Sequence, residues 1–569
     1  MNNRLKNPAV WIPLTVALAF VGGMLASRGL LIQDRSGAGN NKLNTLLNII
    51  GHEYVDAVDT DSLMETMYPQ LLSGLDPHSV YIKAEDLEAV NSELEGSFSG
   101  IGITFNMLND SINVLEVLSG GPSEKVGLLA GDRIVTINDS VVAGKHWSNE
   151  KVMSWLRGEA GTKVKLGIRR STSADILPFE VTRGPIPVTS IDASYLIDDA
   201  IGYIRVNKFG RTTYDEFYTE MVKLRQAGAK KYVVDLRGNG GGFMEMAVLM
   251  ANEFLPAGQL IVATYGRDES AESTAVSDGR GTFQDAELTV LLDEFSASAS
   301  EIFAGAIQDH DRGLVVGRRS FGKGLVQRQM ELPDGSAVRL TIARYYTPSG
   351  RCIQKTYAHG DNDDYAREIL DRYNSGEIFN GDSIKHDEHL IFKTDAGRVV
   401  YGGGGIMPDI FVPNDTAEIT SYYLNVLNKG LLQKFSFDFT DRHRAELKKA
   451  GSVDAMLKVL PSDDDLLVEF ADYAKANGVA LRWYYINISR KLIVRDLKAL
   501  IARDVFGTSA FYKVNNLTDP TVIRAVQEMR RGATRFPVGV STDKPTAQLL
   551  WSNANYRIIP WTNNLYAVR

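Results

Sequence analysis

The feature that most constrains the fold is a change of hydrophobic period along the chain. Over residues 96–183, short β-type segments such as Arg133–Ile137 follow one another between turn signals. Over residues 188–412, apolar strands alternate with helices, beginning with the strand Lys231–Leu236 and the helix Phe243–Phe254. Alternating strands and helices form a sheet covered by helices. The sequence therefore predicts a small β-rich domain followed by a larger α/β domain.

The composition of the 569-residue chain is that of a globular protein. Hydrophobic residues make up 44% and charged residues 23%, which excludes a globally disordered chain and a membrane protein with many spans. The formal charge of −8 argues against a dedicated nucleic-acid binder, whose surface would be basic. Cys352 is the single cysteine, so an intramolecular disulfide and a cysteine-based zinc cluster are excluded.

The N-terminus has the pattern of an export signal. Arg4 and Lys6 precede an uncharged run over residues 7–27, which as a helix would be about 31 Å long, enough to cross a bilayer. Basic residues ahead of such a run place the rest of the chain outside the cytoplasm. No Ala-x-Ala site closes the run, which favours an uncleaved anchor over residues 1–28, with a cleaved signal peptide as the alternative.

The segment with the most chemical content is Phe295–Glu301, which follows an apolar strand and opens a predicted helix. A serine at such a junction can point its hydroxyl at a substrate, while the helix N-terminus stabilises negative charge. Ser298 and Glu301 also fit the Ser-x-x-Glu pattern of a capping box. Taken alone, the segment is therefore compatible with a purely structural cap.

A nucleophilic serine needs a base, and the histidines are poorly placed to supply one. Of the eight, only His310 is near in sequence, at the far end of the same predicted helix and about 18 Å away. Lys323, by contrast, lies between two glycines. A neutral lysine can act as a general base if burial lowers its pKa, at a cost of about 4 kcal/mol. Gln327 follows on the same predicted strand face, where its amide can orient the amine.

Two glycine-rich loops offer backbone N–H groups to anions. The first, Asp235–Gly242, lies between a predicted strand and a predicted helix and can supply donors to an oxyanion. A nucleotide-phosphate loop is the competing interpretation, but Phe243 occupies the place of the third glycine of a dinucleotide fingerprint. The second loop, Gly100–Ile103, precedes a strand, and its N–H groups can bind a chain-terminal carboxylate. A plain β-turn is the alternative there.

One further motif, His386-Asp387-Glu388-His389, lies in a charged stretch over residues 355–400 that has the character of an insertion. Its two histidines suit a metal ion, but without a third ligand or a helical pattern a solvated loop is the better interpretation. The sequence therefore predicts no metal and no cofactor.

Together these motifs resemble the carboxyl-terminal processing peptidases, also called tail-specific proteases, a serine peptidase family. The resemblance runs from about Leu43 to Val412. Its markers, in sequence order, are Leu75–Ser79, the Gly100–Ile103 loop of a PDZ domain, Gly131–Ile134, Asp235–Arg237 with its glycines, Ser296–Glu301, Phe321–Gln327, Tyr345–Pro348 and Gly405–Asp409. Several independent motifs in the family's order make chance agreement negligible.

The resemblance implies roles for individual residues. The nucleophile falls on Ser298, the general base on Lys323 and the orienting residue on Gln327, while the N–H groups of Gly241 and Ala299 would be the oxyanion donors. The C-terminus of a substrate would be held by the PDZ loop, that is by Gly100, Ile101, Gly102 and Ile103.

Two departures from the family pattern stand out. Gly240 lies where the family usually has proline, which would make the oxyanion loop more flexible. The insertion over residues 355–400 separates two motifs that are normally close in sequence.

The expected fold class is α+β and multidomain. A Clp-protease/crotonase-like α/β core would carry an inserted β-rich PDZ domain, an N-terminal helical segment and a C-terminal helical region. The expected domains are the anchor 1–28, the helical segment 42–95, the PDZ domain 96–184, the protease core 185–415 with its insertion, the helical region 416–532 and an unassigned tail 533–569.

The resemblance also implies an activity: an ATP-independent serine endopeptidase that cleaves envelope proteins near their C-termini. Its partners would be proteins with free, often apolar C-termini and the inner membrane that holds its anchor, but not nucleic acid. A homo-oligomer or an adaptor is left open. The location would be the bacterial cell envelope, facing the periplasm.

Two alternatives belong to other functional classes. A catalytically silent PDZ-bearing scaffold would have no need of Ser298, Lys323 and Gln327 together. A crotonase-like acyl-CoA enzyme is disfavoured by an envelope location, where acyl-CoA is absent.

Overall fold

The computed structural model describes residues 37–108, 111–118, 120–170, 173–358, 360 and 362–532. The expected anchor over residues 1–28 and the tail 533–569 lie outside the described residues. Among these described residues, those up to Leu75 and those from Asp76 onwards form two compact units. Within the described part of the chain, no helix combines the length and the apolar character needed to cross a membrane.

The first unit contains two helices, α1 (Gly37–Glu53) and α2 (Thr60–Ser73). Asp59 caps α2, because its carboxylate accepts a hydrogen bond from the N–H of Asp61 at 3.1 Å.

The second unit begins with strand β1 (Val80–Ile82) and helix α3 (Ala84–Glu95), which the sequence had grouped with the preceding helices. The β-rich domain follows. Its elements are β2 (Ser97–Gly100), β3 (Ile103–Leu108), β4 (Ser111–Val117), α4 (Pro122–Val126), β5 (Arg133–Ile137), β6 (Ser140–Val141), α5 (Asn149–Leu156), β7 (Lys163–Arg169), β8 (Ile176–Thr182) and β9 (Gly184–Pro187).

The β-rich domain is an insertion between elements of the core. Its antiparallel sheet has the order β3-β4-β5-β7-β8, with β6 paired to β5. Strands β2 and β9 pair antiparallel where the chain enters and leaves the domain. The pairing register runs from Ser97 opposite Pro187 to Gly100 opposite Gly184.

The core contains a six-stranded sheet in the order β10-β11-β12-β15-β16-β21, parallel except for the pair β10/β11. Its strands read as apolar runs because helices cover the sheet. The elements from β10 to β16 are β10 (Ile191–Leu196), β11 (Ile201–Val206), α6 (Thr213–Gln226), β12 (Lys231–Asp235), α7 (Met244–Asn252), β13 (Leu260–Gly266), β14 (Ser273–Val276), β15 (Glu287–Leu292), α8 (Ala299–Asp309) and β16 (Leu314–Gly317).

A second, antiparallel sheet has the order β1-β18-β13-β14 and is extended by a hairpin of β17 (Leu325–Glu331) and β18 (Ala337–Tyr346). The hairpin turns at residues 333–335, with Gly335 at φ +86°. The expected insertion contains α9 (Asn362–Asn374), β19 (Ile391–Lys393) and β20 (Val399–Tyr401), and β21 (Ile410–Phe411) returns the chain to the first sheet.

Helices make up the described chain beyond residue 416, as predicted. They are α10 (Ser421–Asn428), α11 (Leu431–Lys449), α12 (Val453–Val459), α13 (Asp463–Ala476), α14 (Trp483–Ile488), α15 (Arg490–Phe506), α16 (Thr508–Asn515) and α17 (Pro520–Arg531). Ser462 caps α13 through the N–H of Asp465. The last helix, α17, packs Val526 and Met529 in one cluster with Val233 and Leu291 of the core sheet.

Candidate active site

The glycine-rich loop and the serine segment meet because they follow neighbouring parallel strands. Strands β12 and β15 pair in parallel, so their carboxyl ends lie at the same edge of the sheet. The carbonyl of Asn239 then joins the two segments, accepting hydrogen bonds from the N–H of Ala297 at 3.0 Å and from the hydroxyl of Ser300 at 2.9 Å. Sequence analysis did not single out Asn239.

Ser298 has an unusual backbone conformation, with φ +56° and ψ −114°. Such a conformation costs a non-glycine residue about 1–3 kcal/mol and persists only where the surroundings enforce it. Here the N–H of Ser298 donates to Glu301 Oε2 at 2.8 Å. A Cβ at position 241 would lie 2.7 Å from the Cβ of Ser298, so glycine is required there.

The three serines of the segment have different surroundings. Ser296 and Ser300 are fully buried, and their hydroxyls donate at 2.9 Å to the carbonyls of Leu236 and Asn239. Ser298 instead lines a cavity of about 610 Å³. Of the three, Ser298 alone lines that cavity.

The same cavity holds the other residues singled out for catalysis. Its walls come from the glycine loop, from the hairpin β17/β18 and from helix α3. They include Gly240, Gly241, Gly242, Ser298, Lys323, Gln327, Gln329, Arg339, Tyr345 and Asn91.

Lys323 is held by a short chain of hydrogen bonds. Its Nζ donates to Gln327 Oε1 at 3.0 Å, and Gln327 Nε2 donates to the carbonyl of His78. Burial lowers the pKa of the Lys323 amine, and the nearby Arg339 cation lowers it further. Within the described chain the amine makes no ion pair. These are the surroundings that favour a neutral lysine.

The turn that includes His78 supports this arrangement. Asp76 accepts hydrogen bonds from the N–H groups of His78 and Ser79 at 2.8 and 2.9 Å, which orients the His78 carbonyl toward Gln327. The imidazole lies 2.8 Å from the hydroxyl of Tyr365. Burial, assisted by the charge of Lys323, lowers the pKa of His78 to about 4.

Glu301 connects the serine segment to the loop of the lysine. Its buried carboxylate accepts hydrogen bonds from the N–H groups of Ser298, Gly322 and Lys323 at 2.7–2.9 Å, and from the hydroxyl of Ser320. Burial raises its pKa to about 7, although these hydrogen bonds oppose the shift. Sequence analysis identified only the capping pattern of this residue, because its contacts with the second loop leave no local signal.

The expected oxyanion donors differ in availability. Gly241 donates its N–H to Asn239 Oδ1 at 2.9 Å, and Asn239 Nδ2 donates in turn to the carbonyl of Val206. The structure therefore departs from the expectation of an open donor at Gly241. The N–H of Ala299, in the first turn of α8, has no hydrogen-bond partner among the described residues.

The expected carboxylate loop lies between two strands. Gly100 ends β2, Ile103 begins β3, and Gly102 has φ +77°. The carbonyls of Ile101 and Gly102 accept hydrogen bonds from Ser123 and Leu118. Across the described residues, the N–H groups of Ile101 and Gly102 have no partner. The Ile101 side chain is buried in the domain core, so the loop offers its backbone to a ligand.

Two other candidates lie away from the cavity walls. His310 ends α8, with its ring nitrogens 2.7 Å from Asp395 Oδ2 and from the carbonyl of Leu260. His386 stacks on Tyr401 with ring centres 4.0 Å apart. In the described ranges, no three His, Cys, Asp or Glu side chains are grouped to hold a metal ion.

Comparison with known families and relatives agrees with this architecture. The profile of Peptidase family S41 matches residues 200–364, that of a PDZ domain residues 99–181, and that of a family of unknown function, DUF8443, residues 422–507. The carboxy-terminal-processing protease of Bartonella bacilliformis is 34% identical over 348 residues, which cover 59% of this chain and 79% of that relative. The probable CtpA-like serine protease of Staphylococcus aureus is 34% identical over 323 residues, 56% of this chain and 62% of the relative.

Solved structures with similarity include the photosystem II D1 C-terminal processing protease, at 26% identity and a TM-score of 0.33, covering 65% of this chain and 92% of that one. The PDZ domain of the carboxy-terminal protease from Vibrio cholerae, solved in complex with peptide, is 27% identical at a TM-score of 0.15 and covers 16% and 99%. At these scores the assignment rests on the sequence matches. By those matches, the chain belongs to the carboxy-terminal-processing proteases of peptidase family S41, which are serine peptidases, and it carries a PDZ domain.

Proposed function

We propose that the protein hydrolyses peptide bonds near the C-termini of proteins with a Ser298–Lys323 dyad. One observation carries the proposal. Lys323, buried and bonded to the amide of Gln327, lines the same cavity as Ser298. An amine without a carboxylate partner loses its proton more readily than a paired one.

In this mechanism neutral Lys323 Nζ takes the proton of the Ser298 hydroxyl as Oγ attacks the scissile carbonyl carbon. The tetrahedral intermediate collapses as the ammonium of Lys323 returns a proton to the leaving amine. Water then attacks the acyl-enzyme, with Lys323 again accepting a proton. As the ester bond breaks, Lys323 gives this proton to Ser298 Oγ, which regenerates the hydroxyl and the neutral amine. Gln327 acts as a positioning residue that keeps Nζ directed at Oγ.

The oxyanion would be stabilised first by the N–H of Ala299, at the positive end of helix α8. Gly241 would supply a second N–H once the side chain of Asn239 releases it. The flexibility expected from Gly240 in place of proline suits such a change.

We further propose that the PDZ loop captures the C-terminus of the substrate through the N–H groups of Ile101 and Gly102. A second cavity, of about 390 Å³, supports this route to the active site. It is lined by residues of β2 such as Phe98 and shares Asn91 and Glu95 with the larger cavity. Peptides with a free C-terminus should therefore bind the inactive Ser298→Ala protein more tightly than their amidated forms. Equal affinities would remove the role of this loop.

The proposal places the enzyme in the bacterial cell envelope, facing the periplasm and anchored by residues 1–28. The basic and then apolar N-terminal sequence supports it. The test is fractionation of cells that express the full chain or a chain lacking residues 1–28. Equal amounts of both in the soluble cytoplasmic fraction would contradict the location.

The central experiment is substitution within the serine segment. Ser298→Ala should abolish cleavage of an unstructured protein while circular dichroism and the unfolding midpoint stay near wild type, because a lost cap costs only about 1 kcal/mol. Ser300→Ala is the matched control: it removes a buried hydroxyl from the same segment and should keep activity. A dead Ser300→Ala enzyme beside an active Ser298→Ala enzyme would overturn the assignment. Full activity in both would mean that another group is the nucleophile, and a wild-type protein without cleavage activity would favour the scaffold alternative.

A further inference from the structure

Arg339 is the one arginine that lines the cavity of Ser298 and Lys323 in the described chain. It lies on β18 directly opposite Gln329 of β17, two pairs along the hairpin from Gln327 opposite Thr341. Its Nη2 donates to Gln329 Oε1 at 2.9 Å, and Gln329 Nε2 donates to Asn91 Oδ1 at 3.0 Å. The guanidinium is therefore held in place by two neutral amides.

The charge of Arg339 is not matched by a carboxylate. It makes no ion pair with any residue that the structure describes, and its Nε and Nη1 have no hydrogen-bond partner there. Three carboxylates line the same cavity, those of Glu95, Glu245 and Glu331, and none of them forms an ion pair with Arg339. Glu95 makes a two-point contact with Arg211 at 2.7 Å for each bond. A half-buried guanidinium with open donors, facing a cavity, is a binding group for a planar anion.

The distance of Arg339 from the catalytic residues can be converted into a number of substrate residues. Gln327 and Gln329 are two residues apart on one strand, about 6.6 Å. A substrate in extended conformation along the hairpin would cover that distance with about two residues. A substrate group that meets Arg339 would therefore lie within about three residues of the scissile bond.

We propose that Arg339 binds a carboxylate of the substrate chain beside the scissile bond and so gives the enzyme a preference for acidic sequences or chain ends at that subsite. The proposal rests on the peptidase activity proposed above. The carboxylate has two possible sources, an Asp or Glu side chain and the terminal carboxylate of the substrate. Both have the planar geometry that the guanidinium recognises.

The experiment uses matched peptides and the full-length protein. Mass spectrometry first identifies a bond cleaved in an unstructured protein. Peptides spanning that bond then carry Glu or Gln at each of three positions on either side, with a free or an amidated C-terminus. The variant is Arg339→Gln. The control is Arg328→Gln, which removes the same charge from an exposed position on the opposite face of β17.

The quantity compared is the ratio of the kcat/KM values that one enzyme shows for two matched peptides. A ratio is needed because removing Arg339 also changes the surroundings of Lys323 and so the rate for every peptide. Wild type should prefer Glu over Gln at one position by about tenfold in kcat/KM. Arg339→Gln should bring this ratio near one, and Arg328→Gln should keep it. If instead the acid-to-amide ratio collapses in Arg339→Gln, the carboxylate is the chain end. Unchanged ratios of both kinds would overturn the subsite.

A binding measurement separates this subsite from the dyad. The same peptides are titrated into Ser298→Ala and into the double variant Ser298→Ala with Arg339→Gln. If Ser298→Ala binds the Glu peptide more tightly than the Gln peptide and the double variant does not, the subsite is supported even if the dyad is wrong. If the ratio of the Glu-peptide affinity to the Gln-peptide affinity is the same in the two proteins, the subsite is rejected even if the dyad is right.

Discussion

Lys323 differs from the other buried lysine in its neighbourhood. Lys355 donates to Glu368 Oε2 at 3.0 Å and lies over the rings of Phe321 and Tyr365, so its positive charge is well matched. Lys323 has only an amide oxygen as a partner. That difference, rather than burial alone, marks Lys323 as the residue suited to act as a base.

We expect Lys323→Arg to be as inactive as Lys323→Ala, although arginine keeps the charge. A general base must be neutral when it accepts the proton of Ser298, and guanidinium does not lose its proton in proteins. For wild type, kcat/KM should rise with pH through the lowered pKa of the amine, measured between about pH 5 and 9. The protein should stay folded over that range. Substantial activity in Lys323→Arg would exclude the dyad.

His78 supplies a stability prediction with a definite sign. Its pKa is lowered to about 4 from an ordinary value of 6.5, so its contribution to stability is present above pH 6.5 and is lost as the pH falls toward 4. The loss should approach about 3 kcal/mol. His78→Gln has no imidazole to titrate and should lose less on acidification. The measurement is the urea unfolding free energy of both proteins at pH 7 and pH 4. Parallel losses in the two proteins would show that His78 is not the group involved.

Site residues whose type and spacing are typical of a catalytic motif could be predicted from the sequence. Site residues whose role depends on contacts with residues far away in the sequence could not. Ser298, Lys323 and Gln327 were singled out before the fold was known, and all three line one cavity. His78 meets Gln327 only because β1 pairs with β18. No local sequence pattern indicates a contact between residues so far apart in the sequence.

Helix α9 gives the insertion a structural role at the scale of secondary-structure elements. Arg372, on this helix, donates to the carbonyls of Ser320 and Phe321 at 2.7 and 3.1 Å, and Phe321 lies two residues before Lys323. Glu368 holds the guanidinium at 2.6 Å. The insertion therefore supports the loop of the lysine instead of only lengthening the chain between two motifs.

We expect Arg372→Lys to lower kcat/KM by about tenfold, because a single ammonium cannot keep both carbonyls and Glu368 bonded and about one hydrogen bond is lost. The assay is cleavage of the same unstructured protein. Arg367→Lys is the control, since Arg367 lies on the same helix with an exposed side chain. Equal activities of the two variants would mean that α9 does not support the loop.

The ends of strands and helices could be predicted where the hydrophobic periodicity of the sequence is strong. The β-type segment predicted over Arg133–Ile137 has the same ends in the structure. The strand predicted to follow the Gly100–Ile103 loop begins at Ile103, because Gly102 turns the chain with φ +77°. Sheet order could not be predicted, since hydrogen bonds between strands depend on which segments meet and not on any one segment.

At the scale of the whole molecule, the C-terminal helical region contacts both other parts of the second unit. Arg133 of the PDZ domain lies 3.4 Å from Asp441 of α11. On the core side, Asp519 forms an ion pair with Arg237 at 2.9 Å, and Arg237 also pairs with the buried Asp235 at the end of β12. The last helix is thereby linked to the strand that precedes the glycine loop.

This link predicts that Asp519→Ala lowers both stability and activity. Asp519 caps α17 through the N–H groups of Thr521 and Val522 and compensates the buried charge of Arg237. The lost cap and the lost charge-assisted hydrogen bonds to Arg237, which keeps Asp235, should together cost about 2–4 kcal/mol in unfolding free energy.

The control is Asp454→Ala, which breaks the exposed pair with Lys513 and should cost less than about 1 kcal/mol. Urea unfolding measures both variants, and kcat/KM is compared under conditions where each is folded. Because Arg237 would then depend on Asp235 alone, the glycine loop should lose order, and kcat should fall more in Asp519→Ala than in Asp454→Ala. If the two variants unfold alike, α17 is only attached to the core sheet by its apolar face, and the Arg237 link has no part in holding the loop.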